Sequence, residues 1–388
     1  MSKVILKNQV EYNSLIVAIF TFHYSLVIPL TKIMSAGILV AAVGILLMLS
    51  LMIYSRKIVV NINALLIVAA VASVMMAKHF LDGTSLALVL RFLLIALPPI
   101  VIYSYKIDYT LFLDKCMLLS KINFLMIFWV PFSGSYEYMR FGYGMLLTTI
   151  FSVFYFLKVG SKPHSKKITN FIILCVSLVE MFLYGARGAL LCFAMFVIIY
   201  VCFILRSSVK SILIAIASLL IVFNFETILL IFQKITSAFG MGSYVLRKMR
   251  MMLRRGFAAS MSGRDKLYSN AIEQIQKNPI FGTTMNTSNE GEFVHNLFLQ
   301  VGVDLGVLAI AILMIYLIYV MVVMAKKSLN ADARIIIAVI FCVSVGRLLV
   351  SSTLWERPEF WALLCLICKR QTYIHDKYMS DSKIEGFT

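Results

Sequence analysis

The chain has 388 residues, 61% of them hydrophobic and only 14% charged, against about 45–50% apolar and about 25% charged in soluble domains. With a mean hydropathy of +0.92, it reads as an integral membrane protein. At about 20 residues per spanning helix it has room for roughly twelve helices and none for a sizeable soluble domain. The formal charge of +18, from 36 Lys and Arg against 18 Asp and Glu, fits cytoplasmic anchoring of short loops. No basic domain interleaved with aromatics points to nucleic acid. The seven cysteines, Cys116, Cys175, Cys192, Cys202, Cys342, Cys365 and Cys368, fall in or beside apolar runs and read as small hydrophobes, not a disulfide framework.

In chain order, spans are expected at 14–30, 35–54, 58–77, 86–105, 117–132, 142–159, 168–184, 188–205, 211–232, 297–324, 334–352 and 355–368. The first run follows Lys3 and Lys7 but lacks a small-residue cleavage site, so it reads as a retained helix. With the N-terminus inside, the even-numbered connections carry Arg56 and Lys57, Lys106, Lys158 to Lys167, Arg206 and Lys210, Lys326, Lys327 and Arg334, and the tail from Lys369. The opposite connections carry little beyond Lys32, Lys78, Arg140, Arg187 and Arg357. That asymmetry predicts an all-α polytopic protein of about twelve spans with both termini cytoplasmic.

One connection breaks the pattern. Residues 233–296 form a polar segment on the predicted outer face with nine Lys or Arg against four Asp or Glu. The expected organisation is therefore nine spans in 1–232, a long outer loop with short helices in 233–296, and three spans plus a cytoplasmic tail in 297–388. Loops that long are a usual seat of function in a chain whose other loops are short.

Within that loop, Arg247, Arg250 and Arg254 share a helical face, with Met249, Met251, Met252 and Leu253 offering apolar surface. This suits either an interfacial helix at anionic head groups or a solvated basic loop. Ser262-Gly263-Arg264-Asp265 then opens a run with Leu267, Ala271 and Ile275 at helical spacing, closed by Asn278-Pro279. Arg264 would stand in the first turn, where its guanidinium and the unpaired N–H groups suit a phosphate. Otherwise it is an ordinary surface arginine.

Tyr184-Gly185-Ala186-Arg187-Gly188-Ala189 marks another helix start at the outer boundary. Arginine at membrane depth is expensive and usually functional, the alternative being a snorkelling anchor. Arg91, in Leu90-Arg91-Phe92 of the fourth predicted span, is expected to face the bundle interior or a wet cavity, or to pair with Glu180 or Asp304. His295-Asn296-Leu297-Phe298-Leu299-Gln300 opens the tenth span. There the histidine reads as a base near neutral pH or as a satisfied structural polar group. No Walker loop, His-Glu-x-x-His or Asp-x-Asp pair in an aqueous loop is present, which argues against an ATPase, a zinc protease and a nucleotide-sugar transferase. Cys365-x-x-Cys368 has no second pair, so no metal site is expected there.

Gly-Ala-Arg-Gly-Ala at one span head, Ser-Gly-Arg opening an outer-loop helix that closes on Asn278-Pro279-Ile280-Phe281-Gly282, and His-Asn-Leu-Phe-Leu-Gln at the next span together resemble the O-antigen ligase and polymerase (Wzy) superfamily. The motifs match in order over residues 180–306; Gly185-Ala186 stands where many members have a serine before the arginine. The resemblance implies a glycosyltransferase on the outer face of the bacterial plasma (inner) membrane, using undecaprenyl-diphosphate-linked oligosaccharides without cofactor, nucleotide or metal. It implies Arg187 and Arg264 on the diphosphate, His295 assisting the acceptor hydroxyl, and Arg140, in Tyr138-Met139-Arg140-Phe141-Gly142, as a weaker substrate position. Arg91 and the Arg247, Arg250 and Arg254 run complete the expected substrate contacts. The expected function is repeat-unit polymerisation into O-antigen or capsular polysaccharide, with a chain-length regulator and a flippase as further partners. A ligase, or a non-enzymatic flippase of lipid-linked sugars, stands as the alternative. Secondary transporters of that last kind are expected to show pseudo-symmetric halves, which the single long loop disfavours.

Overall fold

The computed structural model describes residues 2–28, 36–132, 137–157, 164–205, 264–283, 294–326 and 328–369, with isolated positions between 227 and 285. Among the described residues every regular element is helical. The order is α1 (Ser2–Thr21), α2 (His23–Val27), α3 (Ala36–Ser55), α4 (Ile62–Asp82), α5 (Leu86–Ser104), α6 (Tyr109–Ile127), α7 (Tyr138–Leu157) and α8 (His164–Tyr184). Then come α9 (Arg187–Ile199), which runs on as a π-helical stretch (Tyr200–Leu205), α10 (Arg264–Lys277), α11 (Leu297–Leu305), α12 (Val307–Ala325), α13 (Ala331–Leu348) and α14 (358–369).

Six of these are long and apolar enough to cross a membrane: α3, α4, α5, α7, α9 with its π stretch, and α12. On α3, α4 and α12 large apolar side chains such as Ile53, Leu66, Leu308 and Ile315 face outward, as lipid-facing helices require. The other expected spans are interrupted or short. α1 begins with Lys3, Lys7 and Glu11, α6 carries Asp114, Lys115 and Lys121, and α13 carries Asp332, Arg334 and Arg347. The apolar part of α8 is confined to Ile168–Tyr184. The expected span at 211–232 and most of the long connection lie outside the described residues.

Local chemistry sets the boundaries. Asn61, Asp108 and Asn330 cap α4, α6 and α13 by accepting from backbone N–H groups of the first turn. The Asp108 cap starts α6 at Tyr109, eight residues before the expected start at 117. The span expected at 297–324 is two helices, broken at Gly306, whose φ of +83° only glycine adopts at ease.

α13 is buried along almost its whole length. α9, α6 and α7 pack against it, with α8 on α7, α1 on α6, and α3 and α4 on α5. Its charged residues are therefore enclosed by protein, the setting in which intramembrane ions are tolerated. At one end of the bundle Lys369 donates to the carbonyls of Tyr103 and Tyr105, Asn13 to that of Lys106, and Arg334 to that of Phe203. This end also gathers Lys57, whose carbonyl accepts from Tyr105. These are the connections that the charge asymmetry assigns to one face, and they share one end. The motifs at Arg187, Arg264 and His295 lie at the other.

Candidate functional site

At that second end, backbone meets backbone where glycine permits it. A Cβ on Gly142 of α7 would sit 2.4 Å from Ala186 N and 3.0 Å from Gly185 Cα, so the α8–α9 turn lies directly on α7. The helix start carrying Arg187 is placed by that contact. A Cβ on the next residue, Gly188, would meet Tyr143 Oη at 2.2 Å and Val350 Cγ2 at 2.8 Å. Arg264, the first residue of α10, donates from Nη1 to the carbonyl of the same Val350 at 2.7 Å. Two arginines separated by 77 positions in the chain thus open helices that abut one residue at the end of α13.

His295 immediately precedes the α11 cap. Asn296 accepts from Phe298 N and Leu299 N, both at 3.1 Å, and His295 holds a left-handed φ of +55°. For a residue other than glycine that conformation is uncommon, and it persists only where the surroundings impose it. They do so here because Val294 N donates to Gln300 Oε1 at 3.0 Å and Val294 packs with Ala271 of α10 and Val303 of α11. His295 therefore sits on the same α10–α11 unit whose first residue is Arg264.

A latch fixes that unit to the bundle. The Asn278-Pro279-Ile280-Phe281-Gly282 turn enters the break between α11 and α12. Val307 N donates to Pro279 O at 2.7 Å and Thr283 N to Val303 O at 2.7 Å. A Cβ on Gly306 would fall 2.1 Å from Ile280 O. Lys78, at the end of α4, pairs with Asp82 at 3.0 Å and donates to Thr283 O at 2.8 Å. From α11, Asp304 accepts from Gln300 Nε2 at 2.8 Å and from Trp355 Nε1 at 2.7 Å. That last bond reaches the segment between α13 and α14.

Beside Val350 lies a pocket of about 200 Å³ with Ser351 on its wall. Its guanidiniums come from four elements: Arg91 of α5, Arg140 of α7, Arg347 of α13 and Arg357 before α14. Arg91 pairs with Glu356 at 2.8 Å and Arg140 with Glu137 at 2.6 Å. Arg347 is stacked between two rings, 4.1 Å from the centroid of Tyr24 and 4.2 Å from that of Tyr143, whose hydroxyl hydrogen-bonds Ser351. Arg357 bonds Ser352 Oγ through Nε. His23 forms part of the wall, and behind it Glu359 lies 3.7 Å from its Nε2.

Several sequence expectations meet this geometry. Arg264 and the helix start that carries Arg187 meet at Val350, Arg264 through its guanidinium and the other through Gly188, and Arg140 and Arg91 line the adjoining pocket. Arg91 is corrected in one respect. It stands in the second turn of α5 with half its side chain accessible and pairs with Glu356, not with Glu180 or Asp304. Asp304 is engaged by Gln300 and Trp355 instead. The basic run with Arg247, Arg250 and Arg254 lies outside the described residues. Sequence reasoning missed Arg347, Arg357 and His23. For Arg347 the signal was present: an ionisable residue inside the span expected at 334–352 is a functional candidate by the argument applied to Arg91. Arg357 looked like one of the sparse charges of a short connection, whereas His23, inside the span expected at 14–30, carried the same signal as Arg347.

No curated protein matches the chain. The apolar helices and the family match together describe a multi-pass membrane protein. Residues 171–314, which run from α8 into α12 and carry Arg187, Arg264 and His295, match the family model described as O-antigen ligase, which supports placing the chain in the O-antigen ligase/polymerase superfamily.

Proposed function

We propose that the protein polymerises undecaprenyl-diphosphate-linked oligosaccharide repeat units at the outer face of the bacterial plasma membrane, with both termini cytoplasmic. The observation that carries this reading is the convergence of the Arg187 and Arg264 helix starts on Val350, beside a pocket holding four further guanidiniums. A lipid diphosphate is the membrane-borne leaving group that such a concentration of fixed, bidentate positive charge suits.

In the proposed reaction an acceptor sugar hydroxyl attacks the anomeric carbon of the donor. The new glycosidic C–O bond forms as the C–O bond to the diphosphate breaks. The lipid diphosphate leaves with the bonding electron pair, and the hydroxyl proton passes to His295. Arg187 and Arg264 neutralise the charge that grows on the leaving group. Their positions are set in advance by the α7 crossing and the Val350 contact, so little reorganisation is required during transfer. A positioned base of the His295 kind contributes roughly 10²–10⁴-fold, and loss of one preorganised donor costs on the order of 2.7–4 kcal/mol. A single in-line displacement inverts the anomeric centre.

The family model's own description, O-antigen ligase, favours a second reading: transfer of finished glycan to a lipid or protein acceptor. One experiment separates the two. Purified protein is incubated with a lipid-diphosphate repeat unit alone, in chelator and without nucleotide. A ladder of products supports polymerisation. Transfer only when a foreign acceptor is added supports ligation, and no release of lipid diphosphate in either arm sinks both.

A further inference from the structure

We infer that the turn following α10, residues 278–283, docks into the lipid leaflet at this end of the bundle, so that α10 lies at the bilayer boundary although the sequence places it in a long polar connection. The side chains concerned are Ile280 and Phe281, which are 60% and 77% exposed. On one side of them stand Phe80 and Leu81 at the end of α4, 78% and 86% exposed, and on the other Leu308 in the first turn of α12, 63% exposed. The latch holds these stretches together, since Lys78 Nζ donates to Thr283 O and Val307 N to Pro279 O. Large apolar side chains gathered on one surface mark an interaction site.

The backbone of the turn is committed on its inner side. Gly282, at a φ of +70°, donates from N to Asn278 O at 3.1 Å, Thr283 N donates to Val303 O, and Ile280 O lies against Gly306. Held in this way against the α11–α12 break, the turn turns its two apolar side chains outward. The carbonyls of Asn278, Pro279 and Thr283 and the amides of Gly282 and Thr283 are bonded within the protein, as non-helical backbone entering lipid requires.

What covers the patch follows from its flanks. Both α4 and α12 are long and apolar enough to cross a membrane. Ile67, Val74 and Leu81 recur every two turns along α4, and Leu308, Ile315 and Val322 do the same along α12, all of them exposed. Each set forms one lipid-facing stripe, and the turn joins the heads of the two stripes. Polar groups lie directly beside the apolar pair. Lys277, paired with Glu273 at 2.7 Å, and Asn278 precede it, and Lys266, Asn270, Glu273 and Lys277 form an exposed stripe on α10 away from Ala271 and Ile275, which pack toward α11. An apolar face next to a charged one is the profile of a segment held at the membrane interface.

This docking is independent of the reaction the protein performs, and its test needs no turnover. Full-length protein is reconstituted into phosphatidylcholine nanodiscs in a Trp129→Phe background, where the remaining tryptophans, Trp355 and Trp361, are buried. Phe281→Trp then supplies the reporting fluorophore. An interfacial apolar face reaches about 5–10 Å into the boundary between head groups and acyl chains, so lipid brominated high on its acyl chains is the matched quencher. Phe281→Trp is expected to lose most of its emission in brominated lipid and little to aqueous acrylamide. Asn270→Trp, on the exposed stripe of α10, should show the reverse. Should Phe281→Trp fail to fold, Ile280→Trp carries the same readout. Absence of quenching by brominated lipid overturns the inference, whether acrylamide quenches instead, as in water, or neither quencher acts, as beneath a second copy of the chain. Equal quenching of Asn270→Trp by brominated lipid overturns the placement of α10 at the boundary.

Discussion

Gly142→Ala tests whether Arg187 is positioned by the crossing of α7 and the α8–α9 turn. A methyl group at this position would lie 2.4 Å from Ala186 N, 3.0 Å from Gly185 Cα and 3.2 Å from Gly185 C, so the obstacle is backbone on every side. To restore ordinary contact at 3.4 Å or more, the turn must recede by about 1 Å, and the N-terminus of α9 moves with it. Overpacking of this sort typically costs about 1–3 kcal/mol of stability. A displacement of about 1 Å at a reacting centre can cost about 10²-fold in rate. The variant should therefore melt at a modestly lower temperature in detergent and remain inserted. Its product formation should fall about a hundredfold below wild type, although Arg187 itself is untouched. Melting is followed by intrinsic fluorescence and product by gel. Wild-type product yield from a folded Gly142→Ala protein would refute the claim that this crossing sets Arg187.

Further outcomes follow from the same geometry. Arg264→Ala and His295→Ala should insert at normal levels and abolish chain growth, and long polymer from either variant removes that residue from the mechanism. Arg187→Lys should lose most activity because an ammonium cannot supply a planar fork, as comparison of product lengths in cells will show. Gly306→Ala combines a φ of +83° with a Cβ 2.1 Å from Ile280 O. The backbone alone costs of order 1–3 kcal/mol, and the latch must open, so accumulation and melting temperature should both drop. Trp355→Phe removes the 2.7 Å bond to Asp304. It should cost about 1.5–3 kcal/mol in thermal or chemical unfolding, the range for bonds to charged groups.

The helical class and the grouping of helix-start motifs at one end were legible because each rests on local chemistry. Asn61, Asp108 and Asn330 are ordinary caps, Asn278-Pro279 is an ordinary stop, and the basic connections obey one asymmetry. Harder to see was what depends on partners distant in the chain. Arg91 finds Glu356, 265 positions away, and nothing in either neighbourhood announces the pair. The break at Gly306 reads in sequence as one more glycine in an apolar run. Only the insertion of Ile280 O against it explains why a single predicted span is two helices. Arg347 was hidden by the hydropathy of α13, where fifteen of the eighteen residues are neither acidic nor basic. Its place between Tyr24 and Tyr143 joins three separate helices.

The central claim is that guanidiniums assembled at one end of the bundle hold the diphosphate of a lipid-linked sugar while the sugar is transferred. It is tested most directly by measuring binding of an intact lipid-diphosphate oligosaccharide and product formation in one preparation, for wild type, Arg187→Gln and Arg264→Gln. The account predicts that wild type binds the donor and extends it, and that both substitutions weaken binding and product formation together. Undiminished donor binding and undiminished products in both folded variants would contradict it.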